Sequence, residues 1–144
     1  MAVDLEKLKL EAAKGSTVAQ TIVGSQRLDG VNTDVDYETA FDLLSKAADS
    51  GAPRAMFHLA RMYADGLAVE RNPERATELF EAASDKGEFL AHIYLARAHL
   101  LTNQSRAAHY YTLAAELQDV LLKSDEMQEA LDFLSSELNP HRET

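Results

Sequence analysis

The sequence predicts an all-α chain built as a stack of antiparallel helix pairs, and three observations carry that prediction. The first is a 36-residue spacing. Gly15, Gly51 and Gly87 keep it, as do Gly30 and Gly66, Ala19, Ala55 and Ala91, and Ala40 and Ala76. Self-similarity at such a period signals a stacked array rather than a single core. The second is apolar spacing of three and four residues throughout, with no stretch that alternates as a strand does. The third is punctuation, since each helical pattern up to Gly87 ends at a glycine and the next opens on a capping residue or a proline. About eight helices are expected in one helical-repeat domain, residues 1–144.

Leu5, Leu8 and Ala12 predict an opening helix within 1–15, closed by Gly15. The first unit, 16–51, has Ser16 as the N-cap of a helix over about 17–29, with Val18, Ile22, Val23 and Leu28 as apolar positions and Gly30 as the stop. After the loop VNTDV, Asp36 caps a helix to about Ser50, with Ala40, Leu43, Leu44 and Ala47 on one face. The second unit, 52–87, repeats this. Pro53 suits a first turn, Ala55, Leu59, Met62 and Tyr63 form the inner face, and Asn72-Pro73 opens a helix carrying Ala76, Leu79, Phe80 and Ala83.

The third unit, 88–118, keeps Ala91, Leu95 and Ala96 on a helix over about 88–101, with His99 in the place of Tyr63. Only a short link near Thr102 to Gln104 follows. Ala107, Tyr110, Tyr111 and Ala114 restore the pattern of the second unit at an offset of 31, so about five loop residues are missing. A final helix, 119–138, starts at Ser124-Asp125-Glu126, carries Met127, Ala130, Leu131, Leu134 and Leu138 as a stripe, and ends at Asn139-Pro140 before a tail, 139–144. An acidic amphipathic end piece suits the cap that an array needs. Leu121, Leu122 and Phe133 add apolar surface there, so a homodimer or partner contact through this helix is a second expectation.

Composition narrows function by exclusion. The chain has 144 residues, 46% hydrophobic and 26% charged, with a net charge of -10. Residues 1–52 hold nine acids and five bases, residues 53–115 seven of each with six arginines among the bases, and residues 116–138 seven acids against Lys123 alone. Nucleic acid and an acidic membrane surface are poor partners for such a chain. No apolar run reaches the ~20 residues of a membrane span, and MAVDLEKLKLEAAKG lacks the basic start and apolar block of a secretory signal. The absence of cysteine removes disulfides, thiolate metal sites and thiol nucleophiles, and fits a cytoplasmic setting.

The quoted residues resemble the Sel1-like repeat family, a relative of tetratricopeptide repeats. Ala55-Leu59-Ala60-Tyr63-Gly66 with Asn72-Ala76-Leu79-Phe80-Ala83-Gly87 carry the resemblance best, and Ala19-Val23-Gly24-Gly30 with Asp36-Ala40-Leu43-Leu44-Ala47-Gly51 carry it well. It covers roughly residues 15–115. Arg27 departs from it, standing where the motif has tyrosine, and so does the lost loop of the third unit. The resemblance implies a right-handed α-solenoid whose first helices line a concave groove. It also implies a non-catalytic adaptor, scaffold or regulator that binds a protein or peptide, as bacterial members do. A small acidic chaperone or inhibitor sequestering one cognate protein is the alternative.

By similarity to that geometry, groove positions are those the repeat core leaves unused. They are Arg54, Phe57, Arg61 and Asp65 in the second unit, Leu90, Ile93, Arg97 and Leu101 in the third, and Val18, Thr21, Ser25 and Asp29 in the first. Arg54, Phe57, Arg61, Ile93, Arg97, Thr21 and Ser25 are the candidate contact residues. Arginine forks suit carboxylates, so an acidic peptide or a C-terminal carboxylate anchored by an apolar side chain is the expected ligand. The same arginines read equally as partners of acids on neighbouring helices. No cofactor is expected. His92 and His99 are seven apart without the companion carboxylate of a zinc helix, and neither a GxSxG nor a GxGxxG motif occurs.

Overall fold

The structure is a computed structural model that describes residues 4–100 and 102–118. Seven helices and no strand occur among the described residues. The expected final helix, 119–138, and the dimer contact assigned to it lie outside them. The chain divides into two compact units, Met1–Lys86 and Gly87–Thr144, each described in turn.

The first unit holds α1 (Leu5–Ala13), α2 (Thr17–Asp29), α3 (Tyr37–Asp49), α4 (Pro53–Asp65) and α5 (Pro73–Asp85). Each start has a local cause. The Asp4, Ser16, Asp36 and Asn72 side chains accept the backbone N–H three residues on, satisfying a donor the helix leaves open. At Asp36 the Thr39 hydroxyl donates as well, at 2.6 Å, and these bonds hold the carboxyl below its ordinary pKa. α4 has no side-chain cap and instead starts on Pro53, whose missing N–H is not needed there. α2 and α4 stop at Gly30 and Gly66, both left-handed at φ 71° and 69°. A Cβ at Gly66 would stand 3.3 Å from Arg71, and one at Gly30 2.9 Å from Val35 Cγ2, so both stops call for glycine on space as well as on backbone angle.

Each helix packs on the next, and α2 also touches α4. The contacts depend on small side chains. Ala19, Ala40, Ala47, Ala55, Ala60, Ala76 and Ala83 are buried, with Val23, Leu44, Leu59, Met62, Leu79 and Phe80 filling between them. Gly24 belongs to the same device, since a Cβ there would lie 2.7 Å from Leu44 Cγ. Val18, an apolar position of this helix and also an expected groove position, lies on its open side. It is 70% exposed, because Ala19, Gln20 and Val23 occupy the buried face of α2. Gln20 stays buried by donating from Nε2 to the Ala12 carbonyl.

In the second unit α6 (Phe89–His99) packs on α7 (Gln104–Gln118). Its core is Phe89, Ala96, Ala107, Tyr111 and Ala114. The shortened link keeps the chain-reversal bonding of the longer loops. Asp36 N–H donates to Arg27 O at 2.9 Å, Asn72 N–H to Tyr63 O at 2.8 Å, and Asn103 N–H to His99 O at 2.8 Å. The three acceptors are 36 residues apart. Each donor residue then caps its helix, Asn103 by accepting the Arg106 N–H at 3.1 Å. The missing residues therefore come out of the loop between these two anchor points.

Candidate functional site

Of the expected contact residues, the first unit carries Thr21 and Ser25 on α2 and Arg54, Phe57 and Arg61 on α4, two helices that touch. Ile93 and Arg97 lie on α6 in the second unit. Their environments differ sharply.

Arg61 has acidic company inside the fold. Its Nη2 donates to Asp29 Oδ1 at 2.9 Å and its Nη1 approaches Asp29 Oδ2 at 3.5 Å, a two-point contact between α4 and α2. The same Nη1 lies 3.0 Å from His58 Nδ1. A guanidinium has no acceptor, so Nδ1 accepts and the imidazole carries its proton on Nε2. His58 is buried, and burial pushes its pKa down to about 4. The Arg61 charge adds to the depression, Asp29 opposes it, and Arg54 adds a smaller push downward. The imidazole is therefore neutral at pH 7, acting as an acceptor that holds the Arg61 fork on Asp29. This arrangement ties the first helices of consecutive repeats together. An incoming carboxylate would have to displace Asp29 to use that fork.

Phe57 is not at an open surface. It is 8% exposed, with its ring 5.7 Å from Phe80 and 5.2 Å from His58. The apolar anchor expected of it is thus spent on packing α4 against α5. Ile93 is partly buried against the core of the second unit. Thr21 and Ser25 are half-buried and donate to the Thr17 and Ile22 carbonyls of their own helix at 2.8 and 2.9 Å. Arg54 and Arg97 are exposed.

The Asp29–Arg61 pairing has a sequence signal that needs the repeat to be seen. Shifting Asp29 by the 36-residue period gives Asp65, one helical turn beyond Arg61. Acid and base thus stand one turn out of register on adjacent first helices. His58 gave no such signal. Among the described residues, no group of three or more His, Cys, Asp or Glu side chains could hold a metal ion, and no helix is long and apolar enough to cross a membrane.

The Sel1 repeat profile matches residues 17–51, 53–88 and 89–119, and each match starts at the residue where α2, α4 or α6 starts. Two solved structures are similar. One is a Sel1 repeat protein from Oxalobacter formigenes, with TM-score 0.71 and 19% identity over 89% of this chain. The other is c5321, a protective antigen present in uropathogenic Escherichia coli strains and displaying an SLR fold, with TM-score 0.70 and 24% identity over 98% of this chain. At those identities the likeness is one of fold, the α-solenoid of helix pairs. The chain spans 60% and 34% of the length of these two proteins. No curated protein matches it significantly. With three repeat matches that together cover most of its length, the chain belongs to the Sel1 repeat family.

Proposed function

We propose that the chain is a non-catalytic protein-interaction module, working as an adaptor or regulator in a bacterial cytoplasm. The three consecutive Sel1 repeats carry this reading, because the family consists largely of modules that bind other proteins. Its glycines and alanines serve helix closure and close packing, which leaves surface side chains to choose the partner. An acidic partner segment is the ligand this reading favours. Arg54 with Thr21 and Ser25 in the first unit, and Arg97 with Ile93 in the second, are its candidate contact positions. Arg61 is better assigned to the fold, given its bond to Asp29.

The test is capture of cross-linked partners by the tagged full chain, identified by mass spectrometry and repeated with Arg54→Glu and Arg97→Glu. Several partners weakened by charge reversal support the adaptor. One stoichiometric partner points instead to the sequestering chaperone or inhibitor. A chain that captures nothing and turns over a substrate in a small-molecule screen overturns both.

A further inference from the structure

One departure from the repeat pattern is unused by the reading above. At the position where the second unit has Tyr63, the first has Arg27. The two residues do the same main-chain work, each accepting the N–H of the next helix's cap residue. Their side chains do not. Tyr63 sets its ring edge-on to Phe41 at 5.9 Å, an aromatic contact between α4 and α3. Arg27 has no ring to place between α2 and α1. An open cleft of about 330 Å³ lies there, bounded by α1, α2 and α3.

The chemistry of this cleft is specific. Its apolar lining includes Ala12, Val23 and Leu43. Lys9, Lys46, Thr39 and the Asp42 carboxylate also line it; Lys9 is already paired with Glu6 and Lys46 with Asp42, each on its own helix at 3.0 Å. Such exposed pairs within one helix hold weakly and exchange readily. Arg27 is different. Its Nε is enclosed and has no hydrogen-bond partner, and its guanidinium feels the Asp36 carboxylate only through space, since Asp36 is engaged by the Thr39 hydroxyl and amide. The Nε is closed off from an incoming group, but Arg27 as a whole is half-buried and lines the cleft, and the group that best satisfies the outer edge of a guanidinium is a carboxylate meeting it at two points.

The geometry points to this cleft as the docking pocket for a glutamate side chain of a partner protein: the carboxylate on the Arg27 fork, its methylenes on Ala12, Val23 and Leu43. Charge argues for a carboxylate, since Lys9 and Lys46 are paired with Glu6 and Asp42 and Arg27 is the lining cation left for one incoming negative group, and the apolar lining gives the methylenes of a glutamate a surface to lie on. This rests on the reading of the chain as a protein-interaction module, and it moves carboxylate recognition from Arg61, which Asp29 occupies, to Arg27.

The test uses the full 15N-labelled chain titrated with the capped peptide Ala-Ala-Glu-Ala-Ala, with its glutamine counterpart and with inorganic phosphate. The expected result is saturable movement of the Arg27 Nε–H and Thr39 amide signals by the glutamate peptide. Binding should be about tenfold or more weaker for the glutamine peptide. Arg27→Tyr, which restores the repeat's own residue, should abolish it, and Arg27→Lys, which keeps charge without the fork, should weaken it and covers a failure of the tyrosine variant to fold. Equal response to both peptides, survival of binding in Arg27→Tyr, or a response to phosphate without one to the peptide overturns the assignment. A captured partner held equally by wild type and Arg27→Tyr also overturns it, while the interaction-module reading stands. If wild type captures no partner, that reading falls, and the peptide titration still decides the cleft.

Discussion

Arg61 of one repeat grips Asp29 of the repeat before it, 32 residues away, with Nη2 2.9 Å from Oδ1 and His58 Nδ1 accepting from the same guanidinium at 3.0 Å. The pair is about one-third exposed on each side, so solvent screens it. Its coupling energy should be about 0.5–1 kcal/mol, at the upper end for pairs of this exposure because the contact is two-point. A double-mutant cycle with Asp29→Asn and Arg61→Gln under urea unfolding measures that coupling. Zero coupling would mean that the contact orders side chains without adding stability.

The neutral His58 makes stability depend on pH. Its folded pKa, about 4, lies below the ordinary 6.5, so the unfolded chain takes up the proton first as pH falls. The stability from keeping this imidazole neutral is fully present above pH 6.5 and is lost progressively between 6.5 and about 4. A shift of that size corresponds to roughly 3 kcal/mol at most. His58→Gln should flatten the slope of stability against pH in this window. In NMR titrations Asp29→Asn should lower the His58 pKa further, because Asp29 is the group that raises it, and Arg61→Gln should raise it. An unchanged slope in His58→Gln would reject the assignment.

Most of the fold could be read from the sequence because repeat architecture writes itself in local terms. Caps at Ser16, Asp36 and Asn72, stops at Gly30 and Gly66, and small residues at Ala19 and Ala55 are decided within a turn or two of chain, and the structure places each where its chemistry predicts. The site was legible only in part. The engagement of Arg61 depends on a residue a full repeat away, so the sequence of its own helix does not show that Asp29 stands beside it. Phe57 was misplaced for a related reason. A helix of this kind buries one face on its own partner and another on its neighbour in the stack, and Phe57 packs on Phe80 from a position that helical spacing alone leaves ambiguous.

Gly24 offers a sharper test of close packing than any deletion. Alanine at an interior helix position ordinarily gains about 1 kcal/mol over glycine. Here the added Cβ would lie 2.7 Å from Leu44 Cγ and 2.9 Å from Leu44 Cδ2, and Leu44 is fully buried, so a packed side chain has to shift. Gly24→Ala should therefore lose the helix gain and destabilise, by up to about 2 kcal/mol net. Leu44→Ala alone should cost about 2–5 kcal/mol through its cavity. Because the methyl added at Gly24 would grow into that cavity, the double variant should be more stable than the sum of the two predicts, by about 1 kcal/mol or more. Chemical denaturation of the four proteins decides it, and strict additivity would contradict the contact.

The short link of the third unit makes Asn103 a demanding position. It donates its N–H to His99 O and accepts the Arg106 N–H on its side chain, so one residue closes the turn and opens α7. In the second unit these jobs fall to Asn72 at the end of a loop about five residues longer. Asn103→Ala keeps the backbone bond and removes only the cap, which should cost about 1 kcal/mol. Asn103→Asp restores an acceptor at the same point and adds a negative charge at the helix N-terminus, which favours it, so it should recover wild-type stability. Asn103→Pro removes the N–H itself and should cost more than the alanine variant. Hydrogen exchange at the Arg106 amide separates the two effects. It should quicken in Asn103→Ala and return to the wild-type rate in Asn103→Asp, whereas equal exchange in all three would show that the cap does not hold the start of α7.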